Sequence, residues 1–237
     1  MSKRIVVALS GGVGGAKLAL GLSRVLPADE LLVVANTGDD FEHLGLSISP
    51  DIDTLIYTLA GINNSVTGWG RRDETWSFMD SIGALGGEDW FRLGDRDLAL
   101  HVERTRRLRL GQTLSEVTAD ICRRLGIGAR VVPMSDDRVR TRVRSDTDWI
   151  DFQDYFVRRH HADDVLELRY DGVPAARGTD QVLDAIGSAD VIVVAPSNPF
   201  LSVAPILSVG GIRECIEAGR GSVIGVSPIV GHEAVRG

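Results

Sequence analysis

The sequence predicts an α/β protein: a Rossmann-like, doubly wound and mainly parallel sheet carrying a small α/β insertion. Short, β-rich, non-alternating apolar runs recur at Ile5–Leu9, Leu31–Ala35 and Val191–Ala195, which is how strands buried on both faces of a parallel sheet read. Helical patterns separate the runs, as βαβ units require. The first run empties into a glycine-packed turn, Ser10-Gly11-Gly12-Val13-Gly14-Gly15.

After the first strand, a helix is expected over Ala16–Leu26, with leucines at 18, 20, 22 and 26 and a stop at Pro27. Glycines let backbone N–H groups approach an anion, and the helix N-terminus adds partial positive charge. Lys17 stands where a dinucleotide fold has its third glycine, and Ala16-Lys17-Leu18 replaces the Gly-Lys-Ser/Thr of a P-loop, so the turn matches neither motif. Gly11, Gly12, Gly14 and Lys17 are candidate phosphate binders; a tight strand-to-helix connection explains such a turn equally well.

Ligands of open α/β sheets sit beyond the carboxyl ends of the strands. The second run is followed by Asn36-Thr37-Gly38-Asp39-Asp40, the Val191 run by Pro196-Ser197-Asn198-Pro199 and the last apolar run by Ser227-Pro228. Each alone has the composition of an ordinary turn. Their recurrence at strand ends makes Asn36, Asp39, Asp40, Ser197 and Asn198 candidate site residues.

Next, Ser49-Pro50-Asp51-Ile52-Asp53-Thr54 leads into an apolar helix over Leu55–Ala60. Magnesium binds through one or two carboxylates plus phosphate oxygens, so Asp51 and Asp53 are candidate metal ligands; helix capping also explains Asp51. Arg92-Leu93-Gly94-Asp95-Arg96-Asp97 precedes an expected helix containing His101. Surface ion pairing accounts for it as well as a phosphoryl site does. Thr113-Leu114-Ser115-Glu116 has the form of a capping box opening a helix to Leu125, before Gly126.

From about 130 to 170 the texture changes to an insertion. Arg138–Arg144 alternates strictly, as a half-exposed strand does, with acidic neighbours Asp136, Asp137, Asp146 and Asp148. Ser222–Val230 resembles a core strand and its turn, after which an α/β unit continues into a covering helix; the chain, read as one domain over 1–237, thus looks truncated.

Composition bounds the function. With 237 residues, 43% hydrophobic and 25% charged, the chain can bury a real core. A net charge of −7 argues against nucleic-acid binding. The N-terminal Met1-Ser2-Lys3-Arg4 enters an apolar run too short for a signal peptide or membrane span, so a cytoplasmic protein without membrane contact is expected. Cys122 and Cys215 read as small core residues, no histidine pair has metal spacing, and Gly-x-Ser-x-Gly is absent.

Taken together and in this order, Ser10–Lys17, Asn36–Asp40, Pro50–Thr54, Trp69-Gly70-Arg71-Arg72-Asp73-Glu74-Thr75-Trp76, Leu93–Asp97, Pro133-Met134-Ser135-Asp136-Asp137 and Ala195–Pro199 closely resemble the 2-phospho-L-lactate transferase (CofD) family. The likeness spans essentially the whole chain and is strongest to the bacterial branch that includes the phosphoenolpyruvate transferases. It implies a Mg²⁺-dependent enzyme of coenzyme F-420 biosynthesis with a Rossmann-like core, acting as a homodimer. Such enzymes move a phosphoryl-linked 2-hydroxy-acid unit (2-phospholactate, phosphoenolpyruvate or phosphoglycerate) from its guanosine diphosphate conjugate to the ribityl hydroxyl of the deazaflavin Fo, releasing GMP. The resemblance places the glycine loop and Ser197-Asn198 on the guanosine diphosphate, and Asp53 with Arg92 or Arg96 on Fo. Asp51 or Asp53 would hold the metal, and one of them would take the hydroxyl proton. The rival is a nucleotide-sugar-binding regulator of the YvcK-like gluconeogenesis-factor group, which shares the glycine loop and the carboxylate-rich second loop but binds without this turnover; the Trp69–Trp76 and Leu93–Asp97 motifs favour the transferase.

Overall fold

The computed structural model describes residues 4–146 and 148–234; Met1–Lys3 and the last residues to Gly237, both read from sequence above, lie outside the described residues. In chain order the first half contains β1 (Val6–Ser10), α1 (Gly12–Val25), β2 (Leu31–Ala35), β3 (Phe41–His43), β4 (Leu46–Ile48), α2 (Pro50–Leu59), α3 (Ser77–Ala84), α4 (Asp95–Arg109) and α5 (Leu114–Arg124). The second contains β5 (Arg130–Pro133), β6 (Arg140–Arg144), β7 (Trp149–Asp151), β8 (Glu167–Asp171), α6 (Asp180–Gly187), β9 (Val191–Val194), α7 (Ala204–Ser208), α8 (Ile212–Ala218), β10 (Ser222–Gly225), β11 (Ile229–Val230) and β12 (Glu233–Ala234). Short π-helical turns at Asp154–Arg158 and Pro199–Val203 complete it.

The apolar runs pair as their burial demands. The central sheet is parallel, in the order β10-β9-β1-β2-β5, with Val6 opposite Leu31 on one side and Val191 on the other. All five residues of β1 and of β2 are buried, so both faces of these strands need cover. On one face Val6, Ala8, Leu31 and Val33 pack with Ala16 and Ala19 of α1, Ile52 and Leu55 of α2 and Val117 of α5. On the other, Val7, Leu9, Leu32 and Val34 pack with Val182 and Ile186 of α6, Ile206 of α7 and Ile212 of α8. Helices on both faces of an open parallel sheet make the doubly wound arrangement. From β1 the chain proceeds outward through β2 and β5, and later outward the other way through β9 and β10. The strand order therefore reverses between β1 and β9, and the crevice for a ligand lies beyond their carboxyl ends.

The capping box forms: Thr113 Oγ1 accepts from the Glu116 N–H at 3.1 Å, and Glu116 accepts from the Thr113 N–H at 2.9 Å. A second layer forms where the β3–β4 hairpin and α3 pack through Ile48, Met79 and Leu93.

Several expected boundaries differ: α1 begins at Gly12 rather than Ala16, taking the last glycines of the turn into its first turn, and α2 begins at Pro50 rather than Leu55, taking in Asp51 and Asp53. Arg130–Pro133, read as the start of the insertion, is instead β5 of the main sheet, because Val131 and Val132 are buried, while the inserted three-stranded antiparallel sheet, ordered β7-β6-β8, begins only at Arg140. Its arginines alternate as expected, with Thr141 and Val143 buried between them. Their partners are Asp151 for Arg142, at 3.1 Å, and Glu167 for Arg144, at 3.2 Å, both on paired strands and neither among the acidic neighbours in sequence. Ser222–Gly225 joins the sheet as its edge strand but is exposed throughout, and none of its residues belongs to the two clusters that cover the sheet faces. Cys122 and Cys215 are free; burial pushes the Cys122 thiol up to about 12. No helix among the described residues is long and apolar enough to cross a membrane.

Candidate active site

The crevice at the strand-order reversal is built first by the glycine turn. Gly12 has φ +62°, a left-handed conformation that glycine adopts without steric cost, and a Cβ built there meets nothing within 4 Å. That open space lies at the mouth of the turn. The neighbouring glycines answer to packing: a Cβ on Gly14 would lie 2.1 Å from the Pro196 carbonyl oxygen, and one on Gly15 2.3 Å from Ser10 Oγ. The turn after β9 therefore sits against the backbone of α1, where Ser197 Oγ donates to the Gly11 carbonyl at 2.6 Å. Asn198 works locally, its Oδ1 accepting from the N–H groups of Phe200 and Leu201. Lys17 is exposed on the second turn of α1.

The loop after β2 and the start of α2 close the floor. Asp51, on the first turn of α2, accepts from the Gly12 N–H at 2.7 Å and from Asn36 Nδ2 at 2.9 Å. Asn36 also donates to the Leu201 carbonyl at 3.2 Å and accepts from the Gly38 N–H at 2.9 Å. Asp51 thus caps α1, where the sequence offered it as a cap of its own helix, and Ser49 precedes α2 without a side-chain cap. Next to it Asp40 accepts from Ser49 Oγ at 2.8 Å. Burial raises the carboxyl of Asp40 to about 7, against the pull of Arg140. Asp39 is held well above the usual range by burial, then by the charges of Asp51 and Asp40. Asp51 is raised by the same burial, partly offset by its bonds from Asn36 and Gly12. Asp39 Oδ1 and Asp40 Oδ1 are buried with no hydrogen-bond partner.

Asp53 faces elsewhere. Both of its oxygens are gripped by the Arg104 guanidinium of α4, Oδ2 by Nη1 at 3.1 Å and Oδ1 by Nη2. His101 Nδ1 lies 3.7 Å from Asp53 Oδ2, and His101 Nε2 lies 3.2 Å from Asp97 Oδ1, which also accepts from the Tyr57 hydroxyl. A buried polar chain therefore runs from Asp53 to the start of α4. That start is fixed by crossed caps: Glu74 accepts from the N–H groups of Arg96 and Asp97, and Asp95 accepts from those of Ser77 and Phe78. The Trp69–Trp76 and Leu93–Asp97 motifs meet in this contact. Arg92 is exposed, its guanidinium 4.6 Å above the Trp76 ring and 3.6 Å from Asp80. Arg96 is exposed at the first turn of α4, and its carbonyl accepts from Arg71 at 3.4 Å.

Gly11, Gly12, Gly14, Asn36, Asp39, Asp40, Asp51 and Ser197 are thereby brought to one sheet edge, with Asp53 one step behind on α2. The family model described as 2-phospho-L-lactate transferase CofD matches residues 6–236. The chain belongs to the CofD family. Relatives named phosphoenolpyruvate transferase include one from Kitasatospora aureofaciens, 47% identical over 98% of this chain and 74% of its own length. Others come from Streptomyces coelicolor, 44% identical with the same coverage, and Mycolicibacterium smegmatis, 42% identical over 98% of this chain and 76% of that protein. A crystal structure of a UPF0052-family protein from Bacillus halodurans has the same fold, with TM-score 0.65 and 18% identity over 93% of this chain and 67% of that one. This CofD-family chain is a transferase with a phosphate-transferring role in coenzyme F-420 biosynthesis.

The donor set offers a hard cation two distinct environments. Magnesium takes oxygen ligands with lone pairs to spare. The orphaned, buried Oδ1 atoms of Asp39 and Asp40, with Asp51 close enough to raise Asp39, fit that demand. Asp53, with an arginine across both oxygens, fits it poorly. Among the described residues no cluster of three or more His, Cys, Asp or Glu side chains is placed to hold a metal by itself, so substrate oxygens would complete the shell.

Arg104 and Tyr57 escape a reading of the sequence. Arg104 lies in Glu103-Arg104-Thr105-Arg106-Arg107, a charged run in which Arg106 is exposed and Arg107 half-buried, so nothing in the sequence marks the one arginine that is fully buried. The one usable signal is its i+3 spacing from His101, which puts both on one helix face.

Proposed function

We propose that this CofD-family chain transfers a phosphoryl-linked 2-hydroxy-acid unit from its guanosine diphosphate conjugate to the ribityl hydroxyl of Fo, releasing GMP, with phosphoenolpyruvate as the favoured unit because the relatives above carry that name. One structural observation supports the reading most: Asp51 accepts from the Gly12 N–H, so the glycine turn and the carboxylate motif of α2 are in direct contact. The diphosphate would lie along the open face of Gly12 at the N-terminus of α1. Asp51 with Asp39 would hold Mg²⁺, which supplies charge neutralisation on the phosphate oxygens.

The chain's own residues do the rest by position. The hydroxyl oxygen of Fo forms a bond to the phosphorus bearing the acid unit, the bond to the GMP oxygen breaks, and in-line geometry lets both occur in one step. Asp53 accepts a hydrogen bond from that hydroxyl and receives its proton as the bond forms. Arg92 or Arg96, at the rim formed by α3 and α4, meets Fo.

The test is turnover with Fo and each of the guanylated phosphoenolpyruvate, phospholactate and phosphoglycerate donors, following GMP and the Fo-linked product together. Equal release of both products, fastest with the enolpyruvate donor, is expected. Thermal stabilisation by a UDP-sugar but not by GDP or Fo, with no turnover on any donor, overturns the transferase reading.

A further inference from the structure

We propose that Arg104 is the positioning residue of the transfer site: it grips both oxygens of Asp53 from α4 and fixes the plane in which that carboxylate meets the acceptor hydroxyl. The inference rests on the reading of Asp53 given above. Arg104 is 1% exposed and is the largest fully buried side chain among the described residues. Its Nη1 and Nη2 take one Asp53 oxygen each, and Nη1 also reaches the Ser47 carbonyl at 3.4 Å. Its Nε is buried without a partner.

Stability alone does not account for this arrangement. Two buried charges lose their hydration, and an apolar pair of similar volume generally serves a core as well or better. An unpartnered Nε adds a further cost. A guanidinium does supply what an apolar side chain cannot: two parallel donors in a rigid plane, which set the rotation of a carboxylate as well as its place. Each Asp53 oxygen keeps a lone pair beyond the one Arg104 uses, so the carboxylate can still accept from a hydroxyl on its other side. His101, 3.4 Å from Arg104 Nη1, and Tyr57 and Asp97 behind it hold the guanidinium side of the pair. A misplaced acceptor hydroxyl slows an in-line displacement without weakening ground-state binding.

The experiment places Arg104→Met in the wild type and in Asp53→Asn, and measures kcat and KM for Fo and for the guanylated donor, with circular dichroism and melting curves on each variant. In the wild type a fall in kcat of about 10²-fold is expected, with both KM values within about threefold. On Asp53→Asn the same change should cost less than about threefold, because the group it positions has already lost its charge. Arg104→Lys keeps the charge but offers one point of contact, and should lower kcat about tenfold with KM unchanged. If Arg104→Met does not fold, Arg104→Lys and its own double with Asp53→Asn decide. Equal losses in both backgrounds, or an unchanged kcat, overturn the proposal. Near-normal turnover of Asp53→Asn alone removes Asp53 from the chemistry and this inference with it, whereas additive losses on a slowed but measurable Asp53→Asn overturn only the role of Arg104.

Discussion

Asp51 accepts a hydrogen bond from the backbone N–H of Gly12 at 2.7 Å, across 39 residues of sequence. The N-terminus of α1, the natural seat for a phosphate, therefore already faces a carboxylate. A diphosphate approaching Gly12 meets that negative charge unless a cation lies between them.

Nucleotide affinity should accordingly depend on Mg²⁺ through Asp51. In calorimetric titrations, wild-type protein is expected to bind GDP at least about tenfold more weakly in EDTA than in Mg²⁺, a difference of about 1.4 kcal/mol. Asp51→Asn, which keeps an oxygen for the Gly12 N–H, should bind GDP more tightly than wild type in EDTA and respond little to Mg²⁺. Identical metal dependence in the two proteins would move the phosphates away from Asp51.

The glycines should separate into two kinds. Gly12→Val places a β-branched side chain in a left-handed conformation, at a cost of about 1–2 kcal/mol, and fills the open space at the mouth of the turn. It is expected to fold, to lose GDP affinity strongly and to keep its affinity for Fo, with Lys17→Ala losing less. Gly14→Ala drives a Cβ into the Pro196 carbonyl and should destabilise by about 3 kcal/mol, visible in the melting curve before any ligand is added. A valine variant with normal GDP affinity would take the turn out of the site.

The buried carboxyl of Asp40 should leave a signature in stability against pH. Its folded value of about 7 lies above its ordinary value of 3.8, so between the two the folded protein keeps a proton that the unfolded chain releases. The stability this contributes is fully present below about pH 4 and is lost as pH rises through about 7; Asp39, raised by the same burial, acts in the same direction. Melting temperature of the metal-free protein should fall from pH 5.5 to 8. Asp40→Asn keeps an acceptor for Ser49, and should flatten that slope and melt above wild type at pH 8. A slope unchanged in the variant would show that Asp40 is not the group titrating.

Much of the fold was written locally. The runs at Ile5, Leu31 and Val191 are apolar on every residue, and only a sheet covered on both sides accommodates that, so parallel pairing and helices on two faces followed from the sequence. The Thr113 capping box is likewise local, since its two bonds span three residues; the Gly11–Gly15 turn was legible from composition alone, although its bonds run to Asp51 and Ser197, far away in sequence. Arg130–Pro133 was not legible in the same way: a strand of four residues beside an arginine-rich stretch has no period of its own, and pairing with β2 decides where it belongs.

The sequence by itself determined which residues stand at strand ends, and so which side chains are candidates for the crevice between β1 and β9. Tertiary structure alone decided how those candidates are used. Asp51 and Asp53 are two residues apart, a spacing that turns their side chains to different faces of a helix. One therefore reaches the Gly12 N–H of α1 and the other the Arg104 guanidinium of α4. No local pattern reports that division, because the arginine and the glycine that create it come from elements brought to α2 only when the sheet and its covering helices pack.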